Sequence, residues 1–215
     1  MITMEKIFKY KNIFNLLGLM LGTIAFVNTL AYQGVQAFRY FTNQSNLLFL
    51  LVFLTIYFKK DNNKNFKIVA FITLISLTIT GVVFHLLLTD TVGSNSGVIE
   101  SIYDLNNFHN LVTHTINPLY YLIYYFIFII DNIKIKEFYI GLIHPILYFI
   151  IILLLGPITN FYPYPFLDVS QNGLAEVLKM TLLIMLPLIT FFVILLTTLK
   201  DVLNKRIDYT KIEET

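Results

Sequence analysis

Apolar residues gather into six long runs, near residues 12–32, 44–58, 67–89, 109–130, 137–156 and 175–199, with short polar connections between them. A helix needs about 20 predominantly apolar residues to cross a bilayer. The pattern therefore predicts an all-α, polytopic membrane protein with six transmembrane helices. The second run is short by itself, but Phe38 to Asn46 can add two turns at its start and give a span near 40–58. Its polar beginning must then be shielded by protein or by headgroups. The first run follows basic residues and precedes Val35-Gln36-Ala37, a loose imitation of a cleavage site, yet its apolar part is too long for a signal peptide and a retained helix is expected. There is no internal repeat, heptad array or low-complexity linker, so residues 1–215 are expected to form a single integral membrane domain.

The fourth run carries a polar stripe. Asn107, Asn110, His114, Asn117 and Tyr121 follow one another at steps of three and four, which aligns them on one face of a helix. An ionisable group inside a span costs at least about 3 kcal/mol on insertion scales, so it faces the bundle interior or a cavity. For His114 three roles are open: a structural hydrogen bond, catalysis, or ion and proton handling. Asn110 and Asn117 stand one turn to either side and are candidates to fix its tautomer.

Composition strengthens the membrane assignment. Hydrophobic residues make up 57% of the chain and charged residues 13%, against roughly a quarter charged in an average soluble domain, and the mean hydropathy is +0.73. Cysteine is absent, which leaves oxygen and nitrogen as the only nucleophiles and excludes disulfides and thiolate metal sites. A net charge of +2, with no basic block interleaved with aromatics in a soluble segment, gives no reason to expect nucleic acid.

Charge reports topology instead. Lys6, Lys9 and Lys11 precede the first run, Lys59, Lys60, Lys64 and Lys67 separate the second and third, Lys134 and Lys136 the fourth and fifth, and Lys200, Lys205, Arg206 and Lys211 follow the sixth. The alternate connections hold only Arg39 and Lys179, beside Asp90, Glu100, Asp104, Asp168 and Glu176. The positive-inside rule then predicts both termini in the cytoplasm. With that orientation Thr42 and His114 fall in the same external-leaflet layer, His114 about 7 to 10 Å below the outer edge of its span.

Two further segments hold candidate chemistry. Thr42 to Asn46 are five consecutive polar residues at a span start, with Thr42, Ser45 and Asn46 on one helical face and Arg39 a turn above. Capping and interhelical hydrogen bonding would account for them. Alternatively, a threonine or serine hydroxyl here becomes a nucleophile if a histidine removes its proton. The last external loop, Asn160 to Asp168, is rich in tyrosine and proline, including Tyr164 and Pro165. It reads either as an ordinary aromatic belt or as the rim of a pocket that admits lipid. His85, near the outer end of the third run, is a candidate for the same rim. No cofactor or metal is expected: His109 and His114 are five apart and do not align as ligands on one face, which leaves a site shared by His85, His109 and His114 as a minor alternative. His144, followed by Pro145, is expected to bond to a neighbouring helix. Pro118 and Pro187 are expected to kink their spans, Pro118 freeing the carbonyl of His114.

Arg39-Tyr40-Phe41-Thr42-x-x-Ser45-Asn46-Leu47, Asn110-x-x-x-His114-Thr115 with Pro118, and Gly156-Pro157 before Tyr162-Pro163-Tyr164-Pro165-Phe166-Leu167-Asp168 occur in that order. Together they resemble the androgen-induced and androgen-dependent TFPI-regulating membrane proteins, most closely their bacterial six-span branch, over nearly the whole chain. The resemblance implies a threonine-dependent carboxylic ester hydrolase that cleaves fatty acid esters of hydroxy fatty acids. It assigns the nucleophile to Thr42 and the base to His114. Arg39, Asn43, Ser45 and Asn46, or backbone amides at the helix start, are then candidates to stabilise the oxyanion, and Ser45 is the alternative nucleophile. A lipid substrate drawn from the bilayer of a bacterial cell is the implied partner. The competing expectation is a non-enzymatic membrane protein that binds or transports a lipid or small solute.

Overall fold

The computed structural model describes residues 8–88, 105–130 and 133–206. Of the residues invoked above, Lys6, Asp90, Glu100, Asp104, Lys211 and the side chains of Lys64, Asn107 and Arg206 lie outside the described residues. Every regular element among the described residues is helical. They are α1 (Lys11–Gln33), α2 (Phe41–Tyr57), α3 (Lys64–Val83), α4 (Leu105–Leu111), α5 (Asn117–Phe128), α6 (Ile143–Thr159), a one-turn α7 (Val169–Asn172), α8 (Leu174–Lys179) and α9 (Leu186–Arg206). Three π turns extend or join them: Phe84–Leu88 after α3, Val112–Ile116 between α4 and α5, and Met180–Met185 between α8 and α9. A 3-10 segment, Ile135–Leu142, leads into α6.

Four stretches are long and apolar enough to cross a membrane: Lys11–Ala31, Asn65–Leu88, Ile135–Thr159 and Leu174–Lys205. The protein has the helices of a membrane protein. Helix α2, at 17 residues, has a length of about 26 Å at ~1.5 Å per residue, a little under the hydrocarbon thickness of about 30 Å. Its start is set by the preceding chain. Gly34 ends α1 at a φ of 63°, a left-handed value that suits glycine, and Gly34–Arg39 form a separate 3-10 turn rather than the first turns of α2.

Helix α3 is the centre of the bundle. Ala70, Phe71, Leu74, Ile75 and Leu77 are buried, and α3 packs against α2, α5, α6 and α9. Gly141 lets the segment before α6 come close: a Cβ there would stand 2.9 Å from Ile75 Cγ1. On the other side α1 covers α2 and α5. An aromatic cluster fills this region, with Phe53 4.9 Å from Phe49 and 4.8 Å from Tyr124 between ring centres. The outward faces stay apolar, as with Leu154, Ile158 and Leu183, which is what a hydrocarbon solvent requires.

Two of the π turns have a visible cause. Pro118 and Pro187 have no N–H to offer the carbonyl four residues back, and the pyrrolidine ring crowds that carbonyl. Val112–Ile116 ends just before Pro118, and Met180–Met185 just before Pro187. The wider turn removes the crowding without breaking the rod. Where kinks are expected, the backbone is locally widened.

Gly18 and Gly22 form a small-xxx-small pair that sets the α1–α2 distance, a signal present in the sequence and overlooked in the expectations above. A Cβ on Gly18 would fall 2.4 Å from Phe53 Cε1, and one on Gly22 3.1 Å from Leu50 Cα. Phe53 is held by Phe49 and Tyr124 and cannot swing aside. Gly18→Ala is therefore expected to destabilise the protein by about 1–3 kcal/mol through overpacking, which outweighs the ~1 kcal/mol gained in helix propensity. A lowered unfolding midpoint in a detergent–SDS titration is the measurement; an unchanged or raised midpoint would contradict the close packing.

Candidate functional site

The start of α2 is a short piece of irregular backbone surrounded by apolar side chains, and its polar residues exist to satisfy it. Tyr40, the residue before the helix, is extended and supplies no side-chain cap. Asn43 Nδ2 donates to the Ala37 carbonyl at 2.9 Å, and Gln44 Nε2 to the Phe38 carbonyl at 2.8 Å. The Tyr148 hydroxyl donates to the Arg39 carbonyl at 3.0 Å. These bonds hold the 3-10 turn against the first turn of α2. The N–H groups of that first turn remain without intrahelical acceptors, as at any helix start.

Thr42 is the second residue of α2, and this position decides what its hydroxyl can do. Serine and threonine hydroxyls inside helices donate back to the carbonyl four residues earlier. Ser45 does so to Phe41, Thr73 to Val69, Thr78 to Leu74, Thr190 to Leu186 and Thr197 to Val193. For Thr42 the corresponding carbonyl is that of Phe38, which lies in the preceding turn and accepts from Gln44. The Thr42 hydroxyl turns instead to His114, with Oγ1 3.2 Å from Nε2.

His114 sits in the π turn between α4 and α5. Its Nδ1 lies 3.1 Å from the Asn110 carbonyl and 3.1 Å from Thr113 Oγ1. A carbonyl can only accept, and the single Thr113 hydroxyl proton goes to the His109 carbonyl at 2.8 Å. Both neighbours therefore ask Nδ1 to carry the proton, which leaves the Nε2 lone pair facing Thr42. Phe84 stacks on the imidazole with ring centres 4.1 Å apart. The arrangement is a hydroxyl, a base and an orienting acceptor in line, the logic of an activated nucleophile. The orienter is a neutral carbonyl where the serine hydrolase template has a carboxylate.

The remaining expected residues divide by what they touch. Asn110 orients His114 through its backbone oxygen. Asn117 Nδ2 donates to Asn46 Oδ1 at 2.7 Å, while Asn46 Nδ2 donates to the Thr42 carbonyl at 2.9 Å and the Thr113 carbonyl at 3.1 Å. Asn43, beyond its bond to Ala37, accepts from Thr29 on α1 at 3.4 Å. Ser45 is fully buried and its proton is committed to Phe41. The Arg39 guanidinium lies over the Phe161 ring, 5.1 Å from its centre. These five side chains are engaged away from the Thr42 hydroxyl. His85 Nε2 is 3.0 Å from Thr115 Oγ1 on an exposed part of the neighbouring rod, and His109 is buried one helical turn before Thr113.

The last loop reaches the site through Tyr164. Its hydroxyl lies 3.4 Å from both the backbone nitrogen and Oγ1 of Thr42. Asp168 builds the loop and does not enter the site. Its carboxylate caps α7, accepting from Ser170 N at 2.9 Å and Gln171 N at 3.2 Å, and bonds to the Ser170 hydroxyl, first among the causes that hold it below the usual aspartate range. The Pro165 carbonyl accepts from Asn172 Nδ2 at 2.8 Å. His144, with Nδ1 2.7 Å from Ser76 Oγ and Nε2 3.1 Å from Gln44 Oε1, ties α6 to α3 and α2 and stacks on Phe41.

A cavity of about 370 Å³ opens beside Thr42 and Tyr164. Its wall is almost wholly apolar, including Ile79, Val83, Leu142, Met185 and Ile189. Ile146, Ile150 and Leu182 also line it and are exposed on the outer surface, so the space opens sideways between α6 and the α8–α9 rod. Compared with known proteins, the chain matches no family model, no curated protein and no solved structure.

The Asn46–Asn117 pair is the polar link between the strand of chain bearing Thr42 and the one bearing His114. A double-mutant cycle with Asn46→Ala and Asn117→Ala is expected to give a coupling of about 0.6–1.7 kcal/mol, the range for interhelical hydrogen bonds in membranes. Asn46→Ala alone should cost more than Asn117→Ala, because it also strands the Thr113 carbonyl. Unfolding free energies of the three variants check both statements, and additivity would remove the pair from the account.

Proposed function

We propose that this protein is an intramembrane hydrolase of lipid esters, of the type that cleaves fatty acid esters of hydroxy fatty acids, akin to the bacterial six-span branch of the family it resembles. The proposal includes six spans, cytoplasmic termini, a site toward the external leaflet of a bacterial cell membrane, and lipid substrate arriving from the bilayer. The observation that carries it is the 3.2 Å contact between Thr42 Oγ1 and the free nitrogen of His114, residues from two different helices whose tautomer and rotamer are set by backbone carbonyls. An apolar, side-opening cavity lined in part by Thr42 suits a substrate with long hydrocarbon chains. Thirteen of the fifteen basic residues fall on the side assigned to the cytoplasm.

The reaction follows from these groups. His114 Nε2 takes the Thr42 proton as Oγ1 bonds to the ester carbonyl carbon, and the carbonyl electron pair moves onto oxygen. Collapse of this tetrahedral species expels the alcohol, which receives the proton from His114, and leaves an acyl-threonine. A water molecule, deprotonated by the same imidazole, then releases the acid and restores Thr42.

Thr42→Ala and His114→Ala are each expected to lower turnover of a p-nitrophenyl or lipid ester in detergent by at least about 10³-fold. Ser45→Ala should retain activity within a few fold, because the Ser45 hydroxyl serves only the Phe41 carbonyl. A fluorophosphonate probe should label Thr42 and lose that label in His114→Ala. Wild-type turnover in both Thr42→Ala and His114→Ala would sink the mechanism, and a tightly held, unmodified lipid without labelling would favour a lipid-binding role.

A further inference from the structure

We propose that the Tyr164 hydroxyl is a catalytic hydrogen-bond donor, which together with the backbone N–H of Thr42 binds the ester oxygen as it becomes negative. This rests on the threonine–histidine hydrolysis proposed above and names the part of the site that the expected residues leave vacant. An acyl transfer needs donors aimed at the developing oxyanion, and Arg39, Asn43, Ser45 and Asn46 are all committed elsewhere.

The geometry of Tyr164 answers that need. Thr42 N and Tyr164 Oη are 3.4 Å apart, so one oxygen can stand about 2.9 Å from both, the distance an oxyanion hole requires. The Thr42 N–H belongs to the first turn of α2, where no backbone carbonyl competes for it. Its contact with Tyr164 is longer than an ordinary hydrogen bond, as is the one from Tyr164 to Thr42 Oγ1. An arriving carbonyl oxygen can replace both at little cost. Both residues also line the apolar cavity, so an ester whose chain fills that space presents its carbonyl here.

The ring of Tyr164 is also held by contacts that do not involve its hydroxyl. It stacks on Phe166 with centres 5.5 Å apart and meets Tyr40 edge-on at 6.1 Å. Prolines on both sides restrict its backbone, and the Asp168 cap with the Asn172–Pro165 bond fixes the loop that carries it. Burial raises the phenol above its ordinary range, so the proton stays in place at neutral pH. During attack the Tyr164 proton remains on its oxygen as a hydrogen-bond donor; the transferred proton is that of Thr42, which goes to His114.

Tyr164→Phe tests this in the full-length protein in detergent. With a p-nitrophenyl ester, kcat should fall about 10²- to 10³-fold while KM stays within about threefold. Inhibition by a long-chain trifluoromethyl ketone, which forms the tetrahedral oxyanion on Thr42, should weaken by a similar factor. A merely structural role would leave the ratio of inhibitor affinity to KM unchanged. Should Tyr164→Phe fail to fold, 3,5-difluorotyrosine at position 164 keeps the ring and makes the phenol more acidic; kcat and inhibitor affinity should then move together. Tyr164→Phe, or the fluorinated variant, with kcat and inhibitor affinity within threefold of wild type overturns the assignment. If Thr42→Ala and His114→Ala remain inactive in that case, the hydrolase stands without Tyr164; if they are active, the hydrolase itself fails.

Discussion

Asn46 joins two backbone carbonyls, those of Thr42 and Thr113, through one amide nitrogen, and takes the amide of Asn117 on its oxygen. Each carbonyl belongs to, or adjoins, one member of the Thr42–His114 pair. Thr42, Asn46, Thr113 and Asn117 are all buried, and an unmade bond at such a place costs several kcal/mol. That penalty makes the clamp strong in effect although each hydrogen bond is modest in net terms. The 3.2 Å approach of Thr42 to His114 therefore depends on a residue that does no chemistry. Most polar side chains at the start of α2 act in the same way, securing backbone so that one hydroxyl can be left over.

The irregular backbone lies beside the Thr42–His114 contact. His114 occupies a π turn whose widening accommodates Pro118, and the same turn presents the Asn110 carbonyl to Nδ1. Gly81 on α3 faces that turn so closely that a Cβ would stand 3.3 Å from the His114 carbonyl oxygen. Proline, π turn and glycine form one device. The proline forces the turn, the turn aims the histidine, and the glycine gives the displaced carbonyl room.

Hydropathy made the helical stretches legible because an apolar run has no other stable form in a bilayer. The start of α2 was legible to within a residue: the polar segment Thr42 to Asn46 does extend the second run, and only Phe38 and Arg39 fall in the separate 3-10 turn that begins at Gly34. Of the stripe on the fourth run, Asn117 and Tyr121 are buried, but spacing says nothing about partners. Asn117 looks inward to Asn46, Tyr121 donates to the Ala70 carbonyl at 3.0 Å, and Asn110 acts through its backbone. A hydropathy pattern counts turns of 3.6 residues, and a π turn inside the stripe shifts that count. Arg39 reads as an oxyanion ligand only while the fold of the last loop is unknown; Phe161 from that loop takes its guanidinium.

Two interior histidines, His144 and His114, show why residue type alone does not tell how a ring is used. His144 has both ring nitrogens within reach of side chains, Ser76 and Gln44, and Phe41 stacked on its face; it is a strut with nothing left to give. His114 spends one nitrogen on a carbonyl and points the other at a hydroxyl that cannot bond back along its own helix. The difference arises from where the partner hydroxyl sits. Ser76 lies deep in α3 and already donates to the Ile72 carbonyl at 2.8 Å, whereas Thr42 stands at a helix start whose upstream carbonyl has been claimed by Gln44. The Ser76 hydroxyl is quenched by its own backbone; the Thr42 hydroxyl, at the second position of its helix, is not. For a membrane protein with no cysteine and few buried charges, a helix start sunk among apolar side chains is the place where a threonine can be kept both ordered and reactive.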